Sequence, residues 1–316
     1  MTELVLVLGA GASHHCGFPL GRKLLELVHH RAQIDETHRG VNLAGRAKDW
    51  HPKPDEQLAI IQKDAWDSGF VSIDRFIKER PLIAPAAKVL VAHVLRERER
   101  GSDLGRHPNG CWYEYLWNWA ADGVRDGQRR ARIVTLNYER SLEEFLRRRA
   151  MAAFGWTDVS ETMKRIDKAL PILHLHGSFG SLAEVPYWTS AGDEWEDAAR
   201  AAAGIRTLGE KIPDEYLIAR MFLFEADSIA FLGTSFPSEV MDQLFTADAG
   251  WPSIRRQRHE DERRKPADVY ASAMLPQSEW ARTKARYLEQ ITGKRQIFDC
   301  YLGNCLETLH KLPILP

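Results

Sequence analysis

Near its N-terminus the sequence reads LVLVL (Leu4–Leu8), followed at once by GAGAS (Gly9–Ser13). A continuous apolar run of this length is typical of a parallel strand that is buried on both faces. Glycines directly after such a strand let the backbone approach a pyrophosphate, and the start of a following helix offers amide donors. The same pattern also fits a structural tight turn. An ordinary dehydrogenase fits poorly, because no second strand with an acid at its end follows at the usual spacing.

Four further apolar runs of the same kind follow along the chain. They are ARIVTL (Ala131–Leu136), PILHL (Pro171–Leu175), IAFL (Ile229–Leu232) and QIFDCYL (Gln296–Leu302). The first three of these runs, like Leu4–Leu8, lead directly into small or polar residues. In open α/β sheets, ligands bind beyond the carboxyl ends of the strands, so these ends form the candidate site. The sequence therefore predicts an α/β fold, with a Rossmann-like parallel sheet and helices on both faces.

The first two predicted strands are separated by a long stretch of mostly helical pattern, from Ala32 to Arg130. This stretch is too long for an ordinary crossover between strands. We therefore predict a single domain over residues 1–316, in which residues 32–130 form an inserted helical subdomain that caps one side of the sheet. The aromatic-rich run Cys111–Val124 predicts a helix whose rings lie in the core or at a subunit interface.

The composition excludes several classes of protein. The chain has 316 residues, with 43 Lys and Arg against 44 Asp and Glu, so it is not globally basic. The mixed-charge segment Arg255–Lys265 contains acids that would repel phosphate, and we expect no direct binding of nucleic acid. The four cysteines are too scattered for a disulfide framework and lack the CxxC spacing of structural zinc sites. With no signal peptide and no membrane-spanning run, we expect a cytoplasmic protein that does not bind membranes.

Candidate catalytic residues lie at the ends of the second and third predicted strands. Asn137, in TLNYE (Thr135–Glu139), offers a donor and an acceptor that can orient a water or a ribose hydroxyl, and it fits a helix cap equally well. His174 and His176 lie on one face of the third strand. His176 stands at the strand tip before Gly177 and suits a general base, whereas His174 lies deeper and fits a structural role. No carboxylate or thiol nearby completes a metal site, so no metal is expected.

The segment SIDRF (Ser72–Phe76) predicts the start of a helix. Ser72 is a suitable N-cap residue. Asp74 is then either an acid of the first helical turn, which is the commoner case, or a residue of the site. We retain Asp74 as a candidate binding residue.

Taken in order, these segments resemble the SIR2 family of NAD-consuming proteins. The resemblance rests on GAGAS (Gly9–Ser13), TLNYE (Thr135–Glu139), LHGS (Leu175–Ser178) and GTS (Gly233–Ser235). It implies a Rossmann-like sheet with a small inserted module, and it assigns catalysis to Asn137 and His176. The candidate NAD-binding residues are Gly9, Ala10, Gly11, Ser13, Asp74, Gly233, Thr234 and Ser235.

Three features separate the chain from the protein deacylases of that family. The deacylases carry four zinc cysteines between the His-Gly and GTS segments, whereas the residues from Gly177 to Leu232 include no cysteine. Their GIPDFR segment reads GFPLGR (Gly17–Arg22) here, so acidic and aromatic positions that help to enclose nicotinamide are lost. Their usual aspartate after Asn-Tyr is replaced by the longer Glu139. The SIDRF segment instead resembles one that is common in bacterial SIR2-like defence proteins.

The resemblance therefore implies an NAD⁺ glycohydrolase that needs no cofactor, since NAD⁺ is its substrate, and that depletes NAD⁺ during antiphage defence. Such proteins are switched on by a fused sensor or by a separate partner, such as a HerA-type ATPase or a short Argonaute. Because the fold uses most of this chain, we expect a separate partner, a homo-oligomer or both, with Cys111–Val124 as a candidate surface. Two alternatives stay open: a zinc-free NAD-dependent deacylase or ADP-ribosyltransferase, and a non-catalytic subunit that senses NAD or ADP-ribose.

Overall fold

The computed structural model describes residues 3–37, 54–67, 69–70, 72–104, 111–188, 194–208, 210, 214–245, 268–272, 281–283, 286–287, 297–299 and 304–312. The charged segment Arg255–Lys265, for which we expect no binding of nucleic acid, lies outside the described residues.

Six parallel strands form one sheet in the described part of the chain. They are β1 (Leu4–Leu8), β2 (Ala131–Thr135), β3 (Ile172–His174), β4 (Ser228–Leu232), β5 (Asp268–Ala271) and β6 (Ile297–Asp299). Their order is β3-β2-β1-β4-β5-β6, and β1 pairs along its full length with both β2 and β4. The chain winds outward from β1 in one direction through β2 and β3, and in the other direction through β4. In doubly wound sheets, ligands bind at this reversal.

Helices cover both faces of the sheet, which confirms the predicted fold class. They are α1 (Gly21–Thr37), α2 (Pro54–Asp67), α3 (Ile73–Glu79), α4 (Ala84–Gly101), α5 (Trp112–Asp126), α6 (Ser141–Phe154), α7 (Val159–Ala169), α8 (Glu194–Ala202), α9 (Asp214–Glu225), α10 (Ser238–Phe245) and α11 (Cys305–His310). Alternate residues of β1 point to opposite faces. Leu4, Leu6 and Leu8 join a core with α1, α4, α5 and α6, whereas Val5 and Val7 join a core with α9 and α10.

The sequence did not predict β5. Its four residues, DVYA, begin with an acid and follow the long charged segment, so the apolar run is short and weakly marked. Pairing with β4 buries Val269, Tyr270 and Ala271, and this tertiary contact makes the run a strand.

The described residues between β1 and β2 contain helices and turns and no strand. Their apolar side chains share one core with β1 and β2, and α1 runs across position 32. The division at residues 32–130 therefore remains a prediction. Trp112, Tyr113 and Trp117 of α5 are buried in the core, so these rings cannot form the partner surface that we considered for Cys111–Val124. Within the described ranges, no helix has the length and apolar character that a membrane span requires.

Candidate active site

The turn after β1 packs directly against the turn after β4. The backbone N–H of Gly9 donates to the carbonyl of Leu232 at 3.0 Å, and that of Gly11 donates to the carbonyl of Gly233 at 2.8 Å. A Cβ at Gly233 would lie 2.1 Å from the backbone nitrogen of Ala12, and its φ of 61° is in the left-handed region that favours glycine. The close approach of the two turns thus explains these glycines, and it brings their backbones together at the point where the sheet reverses.

The neighbouring polar residues of both turns have distinct environments. Thr234 is buried, and its hydroxyl accepts a hydrogen bond from the N–H of Phe236 at 3.1 Å, while Ser235 is exposed. Ser272, directly after β5, accepts from the N–H of Gly233 at 2.9 Å and so holds the β4 turn. Ser272 has no signal in the sequence, because it follows β5, whose apolar run is short and weakly marked.

The segment after the glycine turn differs from the prediction. It continues as two short 3-10 helices, Ala10–Ala12 and His14–Cys16, and α1 begins only at Gly21. An α-helix therefore does not start directly at the turn, because Gly17 in the left-handed conformation (φ 89°) ends the second 3-10 helix and interrupts the helical path. Within the turn, the N–H groups of Gly9, Gly11 and Ala12 donate to backbone carbonyls of the protein itself.

The side chain of Asn137 is held in one orientation. Its Nδ2 group donates to the carbonyl of Gly9 at 3.2 Å, to Oγ of Ser13 at 3.4 Å and to Oε1 of Glu139 at 3.2 Å. Because the Gly9 carbonyl can only accept, the NH₂ group and not the oxygen must face it. No described residue donates to Oδ1 of Asn137, so this oxygen is left for a ligand. Asn137 is not the cap of α6, whose N-cap residue is Arg140.

Glu139 helps to hold Asn137 in this orientation. Its second oxygen, Oε2, accepts from the backbone N–H of Ser141 at 2.6 Å. Burial raises the pKa of the Glu139 carboxyl, and a hydrogen bond with Ser13 opposes that rise. The carboxyl group therefore links Asn137 to the start of α6 and to the glycine turn.

His176 lies in the turn after β3, and its position is tightly fixed. Its carbonyl accepts from the N–H of Arg206 at 2.8 Å, and a Cβ at Gly177 (φ 69°) would lie 2.0 Å from the carbonyl oxygen of Gly204. The ring Nε2 lies 3.0 Å from the hydroxyl of Tyr216 on α9. Burial lowers the pKa of His176 below the ordinary value, and the charge of Asp74 opposes this shift only in part. His176 is therefore a neutral imidazole near neutral pH.

His174 has a different environment, with both ring nitrogens engaged. Its Nδ1 lies 2.8 Å from the carbonyl of Asn137, and its Nε2 lies 2.6 Å from Oε1 of Glu143. Burial alone would lower the pKa of His174, but the Glu143 carboxylate raises it above the ordinary value. His174 therefore holds the backbone carbonyl of Asn137 in place. Among the residues that the structure describes, no group of three or more His, Cys, Asp or Glu could hold a metal ion.

Asp74 reaches the site although it lies in the first turn of a helix. Ser72 caps α3 as the sequence predicts, since its hydroxyl accepts from the N–H of Arg75 at 3.3 Å. The carboxylate of Asp74 accepts a hydrogen bond from the hydroxyl of Tyr138. Burial and this carboxylate together raise the pKa of Tyr138 well above its ordinary value. Asp74 therefore places a negative charge beside Tyr138 and His176.

A buried ion cluster, formed by Arg96, Glu99 and Arg140, fixes the loop that follows His176. Arg140 pairs with Glu99 at 3.2 Å and donates to the carbonyl of Gly180 at 3.0 Å, and Arg96 also bonds to Glu99. Burial raises the pKa of Glu99 even though both arginines act to lower it. The cluster connects α4 to this loop and to the start of α6. Arg96 and Glu99 are neighbours on α4, but Arg140 lies 41 residues further along the chain, so no local sequence pattern marks the cluster.

Comparison with known proteins gives likeness to solved structures alone. No family model matches the chain, and no curated protein matches it. A serine-to-alanine mutant of a Sir2 homologue in complex with ADP-ribose is 16% identical, with 85% of this chain and 79% of that chain covered and a TM-score of 0.35. A triple mutant of Sir2 homologues with 2′-O-acetyl ADP-ribose is 18% identical, with the same coverage of 85% and 79% and a TM-score of 0.36. At these values the likeness assigns neither a family nor an activity to this chain.

Proposed function

We propose that the protein hydrolyses NAD⁺ to nicotinamide and ADP-ribose. The observation that carries this proposal is that the Asn137 amide, whose oxygen receives no hydrogen bond from a described residue, and the imidazole of His176 follow the carboxyl ends of the neighbouring parallel strands β2 and β3. Both lie at strand ends beside the β1 and β4 turns, where nucleotides bind in sheets of this order. The glycines of these turns would let the backbone approach the pyrophosphate of NAD⁺ closely.

The chemistry follows from the leaving group. The bond that breaks joins C1′ of the ribose to the pyridinium nitrogen, and nicotinamide leaves as a neutral molecule with the bonding electron pair. No general acid is required, and the transition state resembles an oxocarbenium ion, as in glycoside hydrolysis. A water forms the new bond to C1′ while its proton passes to His176, and Oδ1 of Asn137 accepts a hydrogen bond from that water or from a ribose hydroxyl. The carboxylate of Asp74 stabilises the positive charge that develops on the ribose in the transition state.

The lowered pKa of His176 sets the pH dependence of this reaction. A base must be deprotonated to act, so the rate follows the neutral fraction of His176. We expect kcat to stay constant through neutral pH and to fall only below the ordinary range of histidine titration.

The absence of cysteine from Gly177 to Leu232 supports hydrolysis over protein deacylation, since the zinc module of the deacylases has no ligands here. The loop after His176 is held instead by the Arg96–Glu99–Arg140 ion cluster.

The test is release of nicotinamide and ADP-ribose from NAD⁺ by the purified protein, followed by chromatography. We expect Asn137→Ala and His176→Ala each to lower the rate by about 100-fold or more, with unchanged thermal unfolding. Asn118→Ala and His30→Ala, which remove the same side chains from exposed helical positions, are the matched controls and should leave the rate unchanged. Undiminished turnover in either site variant would contradict the proposal.

Two further arms separate the alternatives. Nicotinamide release that depends on an acylated peptide or a protein acceptor would indicate a deacylase or an ADP-ribosyltransferase. Binding of NAD⁺ without release, with or without added partner proteins, would indicate a sensor subunit.

We further propose that the activity is switched on during antiphage defence by a separate partner or by assembly of several copies. Uncontrolled loss of NAD⁺ would be toxic, and the motifs resemble those of bacterial defence proteins. Cells expressing the wild-type chain with its partner should lose NAD⁺ on infection, and cells expressing His176→Ala should not.

A further inference from the structure

The two ring nitrogens of His176 have different environments. Nε2 lies 3.0 Å from the hydroxyl of Tyr216, and the two rings are nearly parallel, with an angle of 30° between their planes. No described residue forms a hydrogen bond with Nδ1. A neutral imidazole carries one N–H and one lone pair, so the partner of Nε2 decides what Nδ1 can do.

We infer that Tyr216 is a positioning residue, which accepts the Nε2–H of His176 and so leaves the Nδ1 lone pair as the base of the reaction. The inference rests on the proposed function. If the tyrosine hydroxyl instead donated to Nε2, the ring proton would occupy Nδ1, and neither nitrogen could take a proton from water.

The charge around the pair favours the first arrangement. The carboxylate of Asp74 acts electrostatically on both Tyr216 and His176. In the inferred arrangement, the hydrogen of the phenol is attracted by this negative charge, and the oxygen lone pairs face Nε2. Among the described residues, Tyr138 also has its ring beside the imidazole, with 6.1 Å between the ring centroids, and its hydroxyl donates to Asp74 and not to the histidine.

The same geometry also stabilises the protonated, positively charged form of His176. When Nδ1 takes up the proton, Nε2–H still donates to Tyr216, and Asp74 stabilises the imidazolium. A nucleophile-activating base that is oriented by a third group is a recurring arrangement in hydrolases. Here the third group is a neutral phenol from α9, with a carboxylate from α3 behind it.

The ring-proton position can be measured directly by nitrogen-15 NMR of the histidine-labelled full chain. The signals of His176 are assigned by their loss in His176→Gln. We expect the tautomer protonated on Nε2, and a tautomer protonated on Nδ1 would overturn the inference. Because this measurement needs no turnover, it tests the position of the ring proton independently of the proposed hydrolysis of NAD⁺.

Tyr216→Phe keeps the ring and removes the hydroxyl. We expect kcat for NAD⁺ hydrolysis to fall by about tenfold with little change in KM. The acidic limb of the kcat profile should move to lower pH, because the imidazolium loses the acceptor of its Nε2–H and its pKa falls. Tyr187→Phe is the matched control, since it removes another buried hydroxyl, one that bonds to Ser102 at 2.9 Å, and both kcat and the limb should stay unchanged.

A fall in kcat without a shift of the acidic limb would show that Tyr216 has only a structural role and would overturn the inference. Should Tyr216→Phe fail to fold, the tautomer of the wild-type protein decides the question.

Discussion

Replacement of Glu139 by glutamine tests how the chain orients Asn137. One oxygen of Glu139 accepts from Nδ2 of Asn137 at 3.2 Å, and the other accepts from the N–H of Ser141 at 2.6 Å. Glutamine has nearly the same size but only one oxygen. We expect that oxygen to stay with Ser141, because this bond is the shorter one and a buried backbone N–H without a partner is costly. The NH₂ group of the glutamine would then face the NH₂ group of Asn137.

Two facing donors repel each other, and Asn137 relieves the conflict by turning its amide. Its oxygen then points toward the glutamine and away from the position that we propose for the water or the ribose hydroxyl. The bond from Nδ2 of Asn137 to the Glu139 carboxylate is a hydrogen bond to a charged acceptor, and such a bond contributes about 1.5–3 kcal/mol. A tenfold change in the rate of hydrolysis corresponds to about 1.4 kcal/mol. If the whole contribution is lost in the transition state, kcat/KM for NAD⁺ hydrolysis falls about 10- to 150-fold.

The same substitution changes how stability depends on pH. Burial raises the pKa of Glu139 in the folded protein above its unfolded value. Its contribution to stability is therefore fully present below the unfolded pKa and is lost as pH rises through the folded pKa. Glutamine does not titrate. As pH rises through the pKa of Glu139 in the folded protein, the free energy of unfolding of the wild type should therefore fall relative to that of Glu139→Gln. Urea unfolding at each pH measures this difference.

Glu144→Gln is the control for activity. It also removes a buried carboxylate from the same part of the chain, but this carboxylate pairs with Arg147 and Arg148 on α6. Its kcat/KM should equal that of the wild type. Wild-type kcat/KM in Glu139→Gln would refute the claim that this carboxylate orients Asn137.

Three further predictions concern the surroundings of the site. Gly233→Ala and Gly155→Ala both place a side chain at positive φ, but only at Gly233 would the Cβ lie 2.1 Å from backbone. Thermal unfolding should show a loss of about 1–2 kcal/mol for Gly155→Ala and a larger one for Gly233→Ala, and equal losses would contradict the turn packing. Glu99→Gln leaves Arg140 buried without its carboxylate and should cost about 3–5 kcal/mol in urea unfolding, whereas a neutral change would show that the cluster is dispensable. Asp74→Asn should lower NAD⁺ hydrolysis with little change in thermal unfolding, and an unchanged rate would exclude an electrostatic role.

The strand ends of the site were predictable because their signals are local. Buried parallel strands are continuous apolar runs, and the residue after each run is visible in the sequence, so Asn137 and His176 could be picked out. Asp74 shows the limit of such signals. Its position in the first turn of α3 is readable, but its contact with Tyr138 depends on packing of α3 against the segment after β2. The partners Arg140 and Glu99 are likewise joined only by the fold.

The residue that orients His176 could not have been found from the helical pattern. Tyr216, Ala219 and Leu223 recur at the spacing of one buried helix face, and all three are indeed buried, while Leu217 and Ile218 are exposed. That pattern predicts that Tyr216 is a core residue like the other two, and it predicts no role for the hydroxyl. Since β3 and α9 are far apart in sequence, only their packing brings the hydroxyl to Nε2 of the imidazole. Candidate residues that follow strands are therefore readable from the sequence, whereas a residue that contacts one of them from another element has only the pattern of an ordinary amphipathic helix.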